Sequence, residues 1–120
     1  MANKYRKGDQ DTRPWGKWEV LDGADNFCVK KITVSPLSQL SLQLHHHRSE
    51  HWVIAEGKAK VTLGDKILLL SQDDHVYIPV ETKHRIENET SSPLVFIEIQ
   101  TGDNLDESDI VRFEDIYGRA

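Results

Sequence analysis

A chain of 120 residues, 38% of them hydrophobic and 29% charged, is long enough for one globular domain with one modest core. Its net charge of −5 argues against general nucleic-acid binding, which needs a basic surface, and no apolar run approaches the roughly 20 residues that span a bilayer. Because Cys28 is the one cysteine and the first residues lack an apolar leader, we expect a cytoplasmic protein with no disulfide and no nucleic-acid or membrane partner.

The chain opens with charged residues that lack periodicity, which predicts a mobile arm over residues 1–12. Short apolar runs separated by turn signals such as Gly57 and Gly64 follow at regular spacing. These runs predict strands at residues 18–21, 27–34, 40–45, 51–57, 58–64, 66–70, 75–79, 84–88 and 93–102. Only the end, residues 104–119, suggests a helical turn, with Asp106 or Ser108 as its cap. So many short strands in one domain indicate a β-sandwich or a β-barrel.

Two neighbouring predicted strands turn candidate metal ligands to one side. In "LSLQLH" (40–45) leucines alternate with polar residues, so Gln43 and His45 share one face of the strand. A hairpin that also carries Glu50, paired near the strand that begins with His84, could bring four donor groups around one point. Imidazole nitrogens with one carboxylate and one amide oxygen suit a divalent ion such as zinc and leave positions open for a substrate.

Other interpretations of "QLHHHRSEHW" (43–52) stay open at this point. His47 or His51 could replace Gln43 as a ligand, and the histidines could also be solvated loop residues that bind no metal. His46 and His51 are expected on the outer face.

Two motifs carry a resemblance to a known superfamily. The spacing Gln43-x-His45-x4-Glu50-x6-Gly57 resembles the first cupin motif, with glutamine in place of its first histidine. The stretch "DHVYIPVETKHRIEN" is similar to the second motif, with Pro79, His84 and Asn88 at the expected places. Three further stretches, "RPWGKWEVLD", "LSLQLHHHRSEHW" and "DIVRFEDIYGR", together resemble the C-terminal cupin domain of type II mannose-6-phosphate isomerases.

This resemblance implies an all-β fold, a single cupin jelly-roll β-barrel of the double-stranded β-helix type, over residues 13–119. It also implies one divalent metal ion, with zinc expected and manganese, nickel or iron as alternatives. By likeness to the zinc-dependent type I isomerases, its ligands would be Gln43, His45, Glu50 and His84. A homodimer is expected. In the family this domain usually follows a mannose-1-phosphate guanylyltransferase. The chain has no glycine-rich nucleotide loop, so we expect no GTP chemistry. A separate guanylyltransferase is considered as a partner.

The leading hypothesis is a metal-dependent aldose–ketose isomerase that converts mannose 6-phosphate to fructose 6-phosphate. His47 or Glu98 would serve as the catalytic base, and Arg48 and Arg85 would meet the phosphate. Trp52 would either form a wall for the sugar ring or pack in the core. The alternatives are a cupin module that binds a sugar or small acid without catalysis, and a metal-dependent cupin oxygenase.

The sequence departs from the family pattern at two positions. Leu37 and Glu81 stand where glycine is usual, and glycine is typically kept where φ must be positive. Glu81 therefore predicts an altered turn at the barrel mouth, and its charge would repel a sugar phosphate if it pointed inward. Arg112, Tyr117 and Arg119 are interpreted as structural residues of the tail.

Overall fold

The computed structural model describes residues 5–105 and 109–114. These residues form strands and connecting turns, and no helix among them is long and apolar enough to cross a membrane. The strands are β1 (Gln10–Arg13), β2 (Gly16–Ala24), β3 (Phe27–Val34), β4 (Ser38–Gln39), β5 (Leu42–Leu44), β6 (Arg48–Glu56), β7 (Lys58–Leu63), β8 (Lys66–Ser71), β9 (His75–Ile78), β10 (His84–Asn88), β11 (Leu94–Gly102) and β12 (Val111–Glu114).

The strands assemble into two antiparallel sheets that face each other. The first sheet has the order β1-β2-β3-β11-β6-β9, and the second has the order β12-β5-β10-β7-β8, with the short β4 paired to β10. Strands distant in sequence are therefore neighbours, as β3 and β11 are. This arrangement confirms the predicted all-β fold.

The inward faces of the two sheets are apolar at one end and polar at the other. Ile32, Phe96 and Ile54 are cross-strand partners in the first sheet and are buried against Ile86 of the second. Two residues further along the same strands, the inward side chains are Lys30, Glu98 and Trp52, which are again paired across the sheet. Side chains still alternate between the inward and outward faces along each strand, but the inward ones change from apolar to polar. The space between the sheets therefore has a polar end next to an apolar core.

The start of the described chain is paired with the first sheet instead of forming the mobile arm expected over residues 1–12. Strand β1 pairs with β2, and the backbone N–H of Gly8 donates to the carbonyl of Val20. The Tyr5 ring packs edge-on against Trp18 at a centroid distance of 5.6 Å. The edge of β2 offers unpaired backbone groups, and the polar residues that lack periodicity satisfy them. Residues 1–4 lie outside the described residues.

The helical turn expected in the tail is wrong for the part that the structure describes. Residues 111–114 form a strand, because β12 pairs with β5 at the edge of the second sheet. The proposed caps Asp106 and Ser108, together with Tyr117 and Arg119, lie outside the described residues.

Both glycine replacements adopt the backbone that glycine would have. Leu37 and Glu81 each have a φ of +57°, the left-handed region that non-glycine residues seldom occupy. Each N–H is held by a distant carbonyl, that of Leu37 by Thr90 at 3.1 Å and that of Glu81 by His45 at 2.7 Å. The expected altered turn at Glu81 is therefore not observed; the positive φ is kept, with a side chain that makes it strained.

Candidate metal centre

A cavity of about 160 Å³ lies between the two sheets at their polar end. It receives side chains from β1, β2, β3, β5, β6, β10, β11 and β12, so both sheets contribute to it. Its polar and aromatic lining includes Arg13, Trp18, Lys30, Gln43, Arg48, Glu50, Trp52, His84, Arg85, Glu98 and Arg112.

Three of the four predicted metal ligands meet in one buried cluster. One donor atom each from His45, Glu50 and His84 lies within 4.8 Å of the others, and all three side chains are buried. Glu50 is on β6 and His84 begins β10, while His45 follows the last residue of β5. The structure thus brings together three side chains that come from separate parts of the sequence.

The two imidazoles are oriented for binding an ion. Nδ1 of His45 lies 2.6 Å from the carbonyl oxygen of Asp109, and Nδ1 of His84 lies 2.9 Å from that of Thr82. A carbonyl can only accept, so each Nδ1 carries the proton and each Nε2 keeps a lone pair. Metal-binding histidines are commonly held in this way by a second partner.

Gln43 lies beside this cluster, as its proposed role requires. It is the cross-strand partner of both His84 and Arg112, so the three residues share one face of the second sheet. Its Nε2 donates to the hydroxyl and the carbonyl of Ser41, which leaves the amide Oε1 as the acceptor. Two imidazole nitrogens, one carboxylate and one amide oxygen on the cavity wall fit a divalent ion.

The Arg48 guanidinium joins two of these ligands. Its Nε donates to Oε2 of Glu50 at 2.9 Å, and its Nη2 lies 3.1 Å from Nε2 of His45. Only 5% of this residue is exposed, so its charge is placed among the ligands and not at the surface. Sequence analysis placed Arg48 near the ligands, but not in contact with them.

Trp52 connects the ligand Glu50 to a second carboxyl group. Its indole Nε1 donates to Glu50 at 2.9 Å and to Glu98 at 3.2 Å. The Trp52 ring also packs on Phe96, so its two expected roles, cavity wall and core residue, are both observed. Glu98 accepts a further hydrogen bond from Gln100 and faces the cavity.

The two carboxyl groups have opposite electrostatic environments. Burial raises the pKa of Glu98 to about 8, assisted by the charge of Glu50 and a hydrogen bond to it, although nearby Lys30 and Arg48 favour the ionised form. Burial also acts to raise the pKa of Glu50, but Arg48, His84 and His45 outweigh it and hold that pKa well below its usual range. One proton is therefore shared unequally, with Glu50 ionised and Glu98 protonated at neutral pH.

The imidazoles are neutral under the same conditions. Burial, followed by the charge of Arg48, lowers the pKa of His45 to about 4. Burial likewise lowers the pKa of His84, against the opposing charge of Glu50. Nε2 of His45 lies 3.4 Å from Oε2 of Glu50, so a neutral ring contacts a carboxylate. Both groups are in the protonation state in which they can bind a cation.

Two residues near the end of the chain were missed by sequence analysis. The Asp109 carboxylate accepts the backbone N–H groups of His46 and His47 at 3.0 and 2.8 Å, which fixes the turn that carries His45. Arg112, interpreted as structural, lines the cavity, and its buried Nε has no hydrogen-bond partner among the described residues. No local pattern marked either residue, because β12 reaches the site through long-range pairing.

The remaining candidates lie at the margin or outside the cavity. His47, a proposed base, is 55% exposed with its Nδ1 3.9 Å from Asp103, and it does not line the cavity. His51 lies on the outer face of the first sheet against Tyr77, so it cannot replace Gln43 as a ligand. Arg85 lines the cavity and its Nε lies 3.8 Å from Glu87. Glu81 is 66% exposed beside His46 and does not point into the cavity.

Comparisons with known proteins place the chain in a family. A sequence model described as "Mannose-6-phosphate isomerase C-terminal" matches residues 2–115. The chain is 52% identical over 108 residues to the xanthan biosynthesis protein XanB of Xanthomonas campestris pv. campestris (strain B100), covering 90% of this chain and 23% of that protein. It is 50% identical over 118 residues to the mannose-1-phosphate guanylyltransferase of Escherichia coli (strain K12), covering 98% of this chain and 25% of that protein. The chain thus spans about a quarter of the length of these curated relatives.

A solved structure supports the fold independently. A Klebsiella pneumoniae protein with a double-stranded β-helix domain superposes with a TM-score of 0.70 at 17% identity, covering 81% of this chain and 83% of that one. The fold predicted from the two motifs is therefore confirmed. With its cupin barrel and its match to the family over nearly the whole chain, this protein belongs to the mannose-6-phosphate isomerase C-terminal family.

Proposed function

We propose that this domain is a metal-dependent aldose–ketose isomerase that interconverts mannose 6-phosphate and fructose 6-phosphate. The observation that carries the proposal is the buried group of His45, Glu50 and His84 beside a second carboxyl group, Glu98, in a cavity of a chain from this family. Isomerisation needs a polarised carbonyl and one base that moves a proton between adjacent carbons. This cavity has residues suited to both tasks.

The metal-binding residues would be His45, Glu50 and His84, with the Gln43 amide oxygen as a fourth ligand. A divalent ion bound there would supply Lewis-acid polarisation of the substrate oxygens, and zinc is the ion that we propose. The chain's own residues prepare the site, since Asp109 and Thr82 hold the imidazole rings and Trp52 holds the carboxylate.

Glu98 is the better candidate for the base. It faces the cavity, whereas His47 is exposed and outside it. The ionised carboxylate of Glu98 would accept the proton from C2 of the aldose and return it to C1, while a second proton passes from the C2 hydroxyl to the C1 oxygen. With a pKa of about 8, Glu98 is protonated in most molecules at neutral pH; the ionised fraction, which grows as pH rises, acts as the base.

The cationic side chains of the cavity would bind the phosphate. Arg48, Arg85 and Arg112 line it together with Lys30, and the unpartnered Nε of Arg112 among the described residues points to an anionic ligand. Trp18 and Trp52 supply flat apolar surfaces for a sugar ring.

Exchange of the C2 proton tests the proposal. Mannose 6-phosphate in heavy water, incubated with zinc-loaded protein, should lose its C2 proton signal and form fructose 6-phosphate, as followed by NMR. Glu98→Gln should lower the rate by at least about 100-fold, whereas His47→Gln should leave it within about twofold. If zinc-loaded protein, and protein loaded with manganese, nickel or iron, all leave the C2 proton in place, the domain is not this isomerase; saturable binding of mannose 6-phosphate would then favour a binding module.

One observation favours a second candidate. Two histidines and one carboxylate are also the ligand set of non-haem iron oxygenases, which leave positions open for oxygen and substrate. Iron-loaded protein that consumes oxygen in the presence of a sugar phosphate or small acid would support that activity, and zinc-loaded protein would then be inactive.

A further inference from the structure

The Arg48 guanidinium occupies the region where a bound ion would lie. Its Nη2 is 3.1 Å from Nε2 of His45 and its Nε is 2.9 Å from Oε2 of Glu50. Both acceptor atoms belong to the metal cluster. The Arg48 guanidinium therefore contacts two of the proposed ligands at once.

A metal ion and this guanidinium cannot share His45. The carbonyl of Asp109 takes the Nδ1 proton of the ring, so Nε2 has one lone pair, and Arg48 uses it. A zinc ion binds imidazole at about 2.0 Å, so an ion on that lone pair would fall between two atoms that are 3.1 Å apart. The guanidinium has to move before the ion can bind.

A displaced guanidinium needs another anion. Arg48 is buried, and a buried charge that loses its partner is strongly unfavourable. Among the described residues that line the cavity, the other carboxyl group is Glu98, whose two oxygens already accept hydrogen bonds from Trp52 and Gln100. The phosphate of a ligand would supply the missing charge, in the bidentate geometry that arginine favours.

We propose that Arg48 and the metal ion compete for His45 and Glu50, so that metal binding turns the guanidinium into the cavity, where it binds the phosphate group of the ligand. Metal and phosphate then bind cooperatively, each raising the affinity for the other by the same factor. The phosphate half of this inference rests on the proposed function, whereas the competition between Arg48 and the metal ion does not.

Metal affinity without phosphate tests the competition. Cobalt(II) titrations in phosphate-free buffer, followed by visible absorption and competition with a chelator, should show at least about tenfold tighter binding in Arg48→Gln than in the wild type. Arg48→Lys, which keeps the charge but cannot span both acceptors, should bind cobalt with intermediate affinity. Lys60→Gln is the control, because it also removes a positive charge but lies outside the cavity, where Lys60 pairs with Glu89, and its cobalt affinity should stay within about threefold of the wild type.

The same titration with millimolar inorganic phosphate tests the coupling. Phosphate should raise the cobalt affinity of the wild type and of Lys60→Gln, and the factor should be at least about fivefold smaller in Arg48→Gln. Circular dichroism spectra of the variants establish that each is folded. Equal or weaker cobalt binding in both Arg48 variants would overturn the competition, and an unchanged phosphate factor in Arg48→Gln would overturn the coupling. Neither result depends on isomerase activity, so a failed proton-exchange assay and a failed coupling assay remain separate findings.

Discussion

At the scale of single residues, the centre is organised by unequal sharing of protons. Glu50 is ionised while Glu98, joined to it through Trp52, holds a proton at neutral pH. His45 and His84 are neutral, and one nitrogen of each lies within 4.8 Å of a Glu50 carboxylate oxygen. A site built in this way carries one negative charge and two neutral nitrogen donors, which is what a divalent cation requires.

The stability of chelator-treated protein should fall as pH rises from 6.5 to 8. In this window the folded chain keeps the Glu98 proton that the unfolded chain has lost, so stability falls by about 2 kcal/mol. Between pH 6.5 and 4.5 this Glu98 contribution nearly cancels that of His45, which binds a proton in the unfolded chain only, so the loss of stability on acidification comes from His84. Urea unfolding at pH 5, 6.5 and 8 measures both limbs.

Glu98→Gln is the control for that profile. The amide does not titrate, so the decline between pH 6.5 and 8 should disappear, and the loss of stability below pH 6.5 should steepen because the His45 contribution is no longer offset. A variant that still loses stability on the alkaline side would show that another group is responsible.

At the scale of elements, short connections decide where the ligands lie. The turn after β5 carries His45, and the segment before β12 fixes this turn through Asp109. A second turn, before β10, is joined to the first by the hydrogen bond from the Glu81 N–H to the His45 carbonyl. Two sequence-distant connections thus meet at one ligand, and each can be tested by itself.

Removing the Asp109 carboxylate should loosen the centre. Asp109→Ala deletes the acceptor of two backbone N–H groups, and we expect a loss of about 2–3 kcal/mol in the free energy of unfolding. Zinc affinity should also fall, because the turn that positions His45 is no longer held. Urea unfolding and zinc competition titrations measure the two effects; Asp103→Ala, an exposed neighbour of His47, should change stability by less than about 0.5 kcal/mol.

Restoring glycine at position 81 should stabilise the fold. Glu81 has a φ of +57°, and glycine adopts this conformation without steric cost. We expect Glu81→Gly to raise the free energy of unfolding by about 1 kcal/mol and to leave metal affinity unchanged. Glu81→Ala is the matched control: it removes the same charge but keeps the Cβ, so a similar gain there would assign the effect to the charge.

At the scale of the whole molecule, the outer face of the first sheet is unusually apolar. Val53, Tyr77 and Ile99 are between 36% and 47% exposed, and the cross-strand pairing places them side by side around His51. Six strands about 4.8 Å apart and up to about nine residues long present a face of roughly 850 Å². This is comparable to the roughly 800 Å² that each partner buries in a standard interface.

The homodimer remains a prediction, and we expect this outer face to form its interface. Tyr77→Glu combined with Val53→Lys should convert the protein to a monomer in sedimentation equilibrium, because charged groups would be buried without partners. Leu69→Glu, on the outer face of β8 in the second sheet, should leave the mass unchanged. A wild-type protein that sediments as a monomer at millimolar concentration would contradict the prediction.

The sequence by itself determined the all-β class and the three candidate metal ligands that the structure brings together. Alternation along a strand is a local property of the pleated backbone, so the common face of Gln43 and His45, and the inward direction of Glu50, could be read without knowing any strand partner. The positive φ at Glu81 was not foreseen, because the glutamate predicted an altered turn. The two motifs then selected His84 from the other histidines.

Only the tertiary structure decided what surrounds those ligands. Asp109 and Arg112 reach the site because β12 pairs with β5, a contact between segments more than 60 residues apart in sequence. The same kind of long-range pairing places Lys30 beside Glu98. Strand neighbours depend on the free energy of the whole sheet and not on any local pattern. The position of Arg48 between two ligands, from which the competition with the metal ion was inferred, could therefore be seen only in the folded chain.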